Sequence, residues 1–406
     1  MIESAHSRHA GVFAADAAAI PASRPLRRDD EHLPFLSSFH DIFTTIGVVI
    51  LFVGLAVASG QIAQAIGAAP ETLASELVVV GLLVVIAAAA FALSALLVGR
   101  QRRILPGIIL CLIVVGCAAT ALIWAYARLT FGIADPETIG AVFERLVDME
   151  EPTRAAMGAA VNDLPLAVRA FPVGVGLIVS ALIWFYYISF RLPFAMGLLG
   201  LAAVTTATVL VGIIDPYSLL VWNPLISLAG GLALFVAGIA FDARDPLRQT
   251  RFSGAGFWLH VFAAPALLGA AVTIANSGLR VDLDEFGSNA GFGLGRLLAG
   301  DSDAAVRNAA VTLAVIGVFA IISLLINRRA LIVAGLVTAG VAIAVLVSQS
   351  GFGQAAVIAV TLLALGGVVV LLGAAWTPVR RILTAPFPKT GFMARIIPPA
   401  GDLSEG

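Results

Sequence analysis

The apolar runs GVVILFVGLAVA, GLLVVIAAAAFALSALLVG and LPGIILCLIVVGCAATALIWAYA follow one another between Gly47 and Ala127, with only short polar stretches between them. Similar runs recur almost to the C-terminus. About 20 consecutive apolar residues are needed for a helix to cross a hydrocarbon core of about 30 Å. In lipid, backbone N–H and C=O groups find no water, so a spanning segment must be a helix or part of a closed barrel. These runs are too long and too continuous for the alternating strands of a barrel. The sequence therefore specifies an all-α, polytopic helical membrane protein. Composition agrees, since 60% of residues are hydrophobic against roughly 45–50% in soluble domains.

Ten spans are expected, at about 42–66, 77–98, 104–128, 172–190, 193–214, 217–241, 255–277, 305–326, 329–349 and 354–376. Turn chemistry separates the close pairs: "FRLP" before the fifth span, Asp215-Pro216 before the sixth and "NRR" from Asn327 before the ninth. Basic residues supply an independent check. With the N-terminus inside, seventeen of the twenty-four Lys and Arg fall on the inner side and seven on the outer. Every inner connection then carries at least one Arg, which is the positive-inside pattern. A missed span would invert every later loop and spoil it. Both termini are expected in the cytoplasm and the chain in a bacterial inner membrane. No apolar core precedes Ile42, so a cleavable signal peptide is not expected.

The domain plan follows. Residues 1–40 read as a mostly disordered cytoplasmic tail, 41–376 as a ten-helix transmembrane domain, and 377–406 as a second cytoplasmic tail. The outside connection 130–171 contains an amphipathic helix: Asp135 is the expected cap, Pro136 the first helical residue, and Ile139, Val142, Phe143 and Leu146 share an apolar face. The second outside connection, 278–304, is Gly-rich. Gly291, Gly293 and Gly295 lack the strand before and the Lys-Ser/Thr after that a phosphate-binding loop needs.

Chemistry is thinly supplied. The acidic residues fall in tails, loops or span edges, and Asp215 is the expected closest approach to a span interior. That argues against a carboxylate proton relay, which places acidic groups deep in the membrane. Four of the five histidines lie in the N-terminal tail, leaving His260 alone in the membrane part, so no metal site is expected. Cys111 and Cys117, six residues apart in one run, point about 120° apart on a helix and read as packing residues. No G-x-S-x-G elbow accompanies the serines. The sequence leans against an enzyme, and no cofactor is expected. With a net charge of −1, nothing favours nucleic acid.

The exception is "FDARDPLRQTRFSGAGFWLHVFAAP", Phe241 to Pro265. Asp245-Pro246 reads as a helix start. Arg244, Arg248 and Arg251, spaced i, i+4, i+7, would share one face of a short helix along the membrane. Gly254 and Gly256 are expected to end it, with the seventh span starting near Ala255. Trp258 and His260 follow in its first two turns, and Pro265 should bend it. Two readings stand side by side. One is an anchor in the cytoplasmic leaflet. The other is a head-group or substrate site built from Arg244, Arg248, Arg251, Trp258 and His260, gripping an anion such as a lipid phosphate. Asp242 and Asp245 weigh against the second by offering those arginines nearer partners. A further candidate is an outer vestibule at Asp215, Trp222 and Asn223, with Asn223-Pro224 capping a shortened helix.

Asp245, Pro246, Arg248, Thr250 and Arg251, followed by Phe257, Trp258, Leu259, His260, Ala263, Ala264 and Pro265, resemble a segment of a group of uncharacterised bacterial multi-pass inner-membrane proteins. The resemblance covers about 25 of the 406 residues and implies a location and a topology. The group has no established activity, so it implies no reaction. An acidic residue often precedes the aromatic pair in that group, where this chain has "SGAG".

Three functions fit. A permease-like or lipid- and small-molecule-handling protein suits ten spans with neutral polar groups at Thr205, Thr206, Thr208, Asn223, Asn276 and Thr312. It predicts a continuous cavity reaching His260 or Asn223. A membrane scaffold suits the many small residues that allow close helix packing and predicts a dry, closed bundle. A membrane enzyme predicts a pocket at the cytoplasmic face where His260 meets the arginines of 244–251. Expected partners are the lipid bilayer, anionic head groups, and a second copy or another membrane protein.

Overall fold

The computed structural model of the protein describes residues 39–65, 73–132, 136–149, 153–245, 251–281, 302–351, 353–388 and 390–397. The chain forms an all-α polytopic membrane protein: among the described residues, ten helices are long and apolar enough to cross a membrane. The first three are α1 (Phe39–Ala65), α2 (Leu73–Ser94) and α3 (Ile104–Phe131). Two short helices, α4 (Pro136–Val147) and α5 (Arg154–Asp163), lead into α6 (Leu166–Phe190) and α7 (Pro193–Ile214). The one-and-a-half-turn α8 (Pro216–Val221) precedes α9 (Asn223–Arg244) and α10 (Arg251–Ser277). The chain ends in α11 (Ser302–Ile326), α12 (Ala330–Ser348), α13 (Gln354–Thr384) and the short α14 (Gly391–Ile396).

Local chemistry sets the breaks where the turn signals lie. Arg191 closes α6 in the left-handed region at φ 52°, and Pro193 opens α7 in its first turn. Asn327 does the same for α11 at φ 55°, a conformation that asparagine tolerates better than most residues. The expected helix in 130–171 starts at Pro136, as α4. A second helix there, α5, went unanticipated; Thr153 caps it by accepting from the Ala156 N–H at 3.2 Å.

Several boundaries differ from the sequence reading, among them the fourth span, which starts at Leu166 rather than 172 and carries Pro172 inside the helix. The sixth span starts at Asn223 rather than 217, because Asp215 and Pro216 nucleate their own helix, α8, first. At its other end α9 runs on to Arg244, which draws Asp242 into the last helical turn. Helix α10 passes straight through Gly254 and Gly256 and begins at Arg251, not near Ala255. Finally, α13 continues past 376 into the expected tail, as far as Thr384. Trp376, Arg380 and Thr384 share one face at i, i+4, i+8, all three are buried, and that face docks on the end of α11. The tail also contains α14, which packs against α9.

Helix α10 is the hub. It packs against α7, α9, α11 and α12, and 56% of its membrane-crossing window is buried, whereas no other span exceeds 33%. The α1–α3 and α6 group joins this hub through α7. Contacts gather the starts of α1, α3, α7, α10 and α12 with the ends of α2, α6, α9 and α11 at one end of the bundle. This is the basic end, carrying Arg100, Arg103, Arg191, Arg244 and Arg328. The connections 130–171 and 215–223 lie at the other, far end.

Candidate functional site

At the basic end three separate segments converge on one carboxylate. Asp242 sits in the last turn of α9, His260 in the third turn of α10, and Arg328 in the turn between α11 and α12. That turn is shaped by Asn327 in its left-handed conformation, with the Arg328 N–H donating back to Ser323 O at 2.9 Å. Such wide closing bonds satisfy carbonyls that a helix end otherwise leaves unpaired. The turn directs Arg328 into the bundle, where it is only 3% exposed.

The guanidinium grips Asp242 as a fork: Nε donates to Oδ2 at 2.9 Å and Nη2 to Oδ1 at 2.5 Å. Nη2 also reaches the backbone O and the Oγ of Ser253, at 3.2 and 3.3 Å. His260 Nε2 lies 3.2 Å from Asp242 Oδ2. With Asp242 ionised against Arg328, that oxygen accepts and Nε2–H donates. His260 is fully buried, and its ring meets Phe235 edge-on at a centroid separation of 5.0 Å. Two glycines make room. A Cβ on Gly238 of α9 would sit 2.8 Å from His260 Cε1, and one on Gly256 of α10 would run into the Asp242 carboxylate. Gly256 thus serves close approach, which explains why it does not break the helix.

The neighbouring groups close this end. Trp376 Nε1 donates to Asn327 Oδ1 at 3.1 Å, Arg380 Nε donates to Leu324 O at 3.1 Å, and Arg329 Cζ lies 4.9 Å from the Trp376 ring centroid. Asn327 and Arg380 are each 1% exposed. The result is a largely buried knot holding one carboxylate, one guanidinium and an imidazole, tying α9, α10 and the α11–α12 turn together.

The residues expected to form a head-group site are distributed otherwise. His260 is in the knot. Arg244 is exposed at the end of α9, its Cζ 5.8 Å from the Phe241 ring. Arg251 opens the next helix, α10, and Arg248 lies outside the described residues, as does the expected short helix from Pro246. Trp258 stands two residues from His260, and so about 200° around the helix. It packs on the opposite side of α10 against Phe194, at 4.8 Å and 85°, and over Gly197. Asp242, Ser253 and Arg328 were not expected to join His260. Asp242 bonds Arg328, an arginine 86 positions away.

At the far end, the vestibule residues are engaged in local structure. Asp215 caps α8: Oδ1 accepts from the Ser218 N–H at 3.1 Å and Oδ2 from the Ser218 hydroxyl at 2.7 Å. Arg154 of α5 also pairs with Oδ2. The Ser218 hydroxyl above all, with the Ser218 N–H and Arg154, holds the Asp215 carboxyl below the ordinary 3.8 despite some desolvation. Arg280 Cζ lies 5.1 Å from the Trp222 ring centroid, and the Val281 N–H donates to Val221 O at 2.8 Å. Trp222 precedes α9 without a capping side chain, and Asn223 Oδ1 instead accepts from Ser227 Oγ at 3.5 Å. The expected asparagine cap is therefore absent.

A cavity of about 370 Å³ opens between α1, α2 and α3, and neither His260 nor Asn223 lines it. Another polar contact joins α10 and α11, where Asn276 Nδ2 donates to Thr312 Oγ1 at 3.4 Å. The Asn276 amide oxygen is buried without a hydrogen-bond partner among the described residues. No group of three or more His, Cys, Asp or Glu able to hold a metal ion occurs among the described residues. No protein-family model matches the chain, and neither a curated protein nor a solved structure matches it significantly.

Proposed function

We propose that this integral membrane protein is permease-like, moving or handling a small molecule, and that the Asp242–His260–Arg328 knot is the latch of its closed state. The supporting observation is the knot itself, placed in the best-packed part of the bundle. A buried ion pair adds little net stability compared with apolar residues of the same shape. An intramembrane ionisable group is therefore a functional-site candidate by default. One carboxylate clasped by an arginine is a switchable clasp and not a proton relay, which would need a chain of such groups. The partnerless Asn276 oxygen at the far end of the same helix supports the reading, because a buried acceptor of this kind calls for water, ligand or a second arrangement to satisfy it.

In the same proposal the basic end faces the cytoplasm and the chain resides in a bacterial inner membrane with both termini inside. The arginine distribution and the resemblance of the 245–265 segment support this placement. Opening toward the cytoplasm would separate α9 from the α11–α12 turn and hydrate Asp242 and Arg328 apart. The test is complementation of a deletion strain of the source organism. Asp242→Asn and Arg328→Gln proteins that insert at native levels are expected not to restore the native phenotype, while Arg154→Ala at the far end restores it. Full complementation by both knot variants would refute the proposal.

A further inference from the structure

The cavity between α1, α2 and α3 is built like a receptacle for an amphiphile. Its volume of about 370 Å³ falls within the roughly 300–1,000 Å³ of small-molecule pockets. Polar groups gather at its mouth, at Gln64, Ser75 and Glu76, while Val79, Val80 and Leu83 line it further along α2. At about 1.5 Å per residue, Leu83 lies about 10 Å deeper along the helix than Glu76. Apart from Thr120, whose hydroxyl is bonded back to Gly116 O, the depth is greasy, and the rim is charged.

The rim is organised by α3. Trp124 Nε1 donates to Glu76 Oε2 at 3.0 Å and Arg128 Nε donates to the same oxygen at 2.9 Å, with Arg128 Nη2 also bonding it. The guanidinium lies 5.7 Å from the Trp124 ring centroid. Among the described residues, every hydrogen bond to Glu76 falls on Oε2. The Glu76 side chain is 31% exposed and that of Arg128 is 52% exposed. A carboxylate and a guanidinium, both reachable, thus stand beside an indole above an apolar slot.

We propose that this cleft binds a zwitterionic phospholipid, its ammonium toward Glu76, its phosphate on Arg128 and one acyl chain between α1 and α2. Charge complementarity selects this occupant. A purely anionic head group would meet the Glu76 carboxylate, and a neutral hydrocarbon would leave both charges unused. Trp124 is suited to the interfacial depth at which such a head group lies. The site is separate from the knot and does not depend on the reading of it.

The experiment uses the full chain in lipid nanodiscs containing photoactivatable phosphatidylethanolamine with a diazirine on one acyl chain, and phosphatidylglycerol with the same chain as the anionic probe. The α2 segment holding Val79 to Leu83 is expected to take severalfold more phosphatidylethanolamine label than the lipid-facing segment around Val370, which is 68% exposed. Val80→Trp, filling the slot, should remove that excess, whereas Leu371→Trp on α13 should not. Glu76→Gln, which preserves shape, should erase the preference for the zwitterionic probe and carries the test if Val80→Trp does not fold. Equal labelling of α2 and α13 would mean bulk lipid only. That result, or equal use of both probes by the native chain, would overturn the proposal.

Discussion

Two of the aspartate–arginine pairs, Asp242–Arg328 and Asp215–Arg154, are alike in residue type and in the 16% exposure of the aspartate, and differ in the burial of the arginine. At the basic end, Arg328 is 3% exposed and clasps Asp242 with two nitrogens, while Asp242 also engages His260. At the far end, the Arg154 side chain is 71% exposed and meets an Asp215 already committed to capping α8. Water competes for the Arg154 guanidinium and hardly reaches that of Arg328. Exposed pairs contribute little because solvent and salt screen them. Buried ones are costly to half-remove, because the surviving charge has nothing to replace its partner. The same two residue types form a latch in one place and a surface tether in the other. Burial, and not charge, makes the difference.

Asp242→Ala tests that contrast with the largest effect. It strands the Arg328 guanidinium and is expected to cost about 3–5 kcal/mol, measured as a shift in the unfolding transition in detergent. Replacing both partners, Asp242→Leu with Arg328→Met, should recover most of this, since a well-packed apolar pair is often as stable as the ions it replaces. Such a protein would be stable yet fail to complement, separating a latch from a mere brace. Next comes Gly238→Ala, whose new methyl would lie 2.8 Å from His260 Cε1. Overpacking of this kind costs about 1–3 kcal/mol, read by the same unfolding measurement. At the far end, Arg154→Ala should leave the transition within experimental error.

Smallest is the pH effect of Ser218→Ala. The Asp215 carboxyl lies below its ordinary 3.8 in the folded chain, so its capping contribution is complete above that value. It is lost as the pH falls through the lower folded value. Removing the hydroxyl that lowers it most should flatten the acid limb of the stability–pH curve and leave neutral pH unaffected. An unchanged acid limb would show that Asp215 caps α8 without titrating in this way.

The fold was legible because long apolar runs admit only helices in lipid, and the Pro, Asp and Asn turn residues stand where the chain breaks. What misled were features whose reason is tertiary. Gly256 looks like a breaker until the Asp242 carboxylate is seen lying against it. The extension of α13 rests on Arg380 and Trp376 docking on the end of α11. His260 was identifiable as the lone histidine of the membrane part, but its partners were not. The sequence places Asp242 among neighbouring arginines, and only the packing of α9 on α10, with the α11–α12 turn folded over them, brings the distant Arg328 to it. One part of the error was avoidable from helical geometry: Trp258 and His260, two residues apart, cannot face the same site.

The central claim, that the buried clasp between Asp242 and Arg328 keeps the basic end shut, is tested most directly by thiol accessibility. Ala255, 4% exposed beside Gly256 on α10, is changed to Cys in a chain carrying Cys111→Ala and Cys117→Ala. Its reaction with a charged, membrane-impermeant methanethiosulfonate reagent is then followed. The account predicts slow labelling with the clasp intact and at least about tenfold faster labelling in folded, monodisperse Arg328→Gln protein, a shift of about 1.4 kcal/mol in the opening equilibrium. An unchanged labelling rate in that folded variant would contradict it.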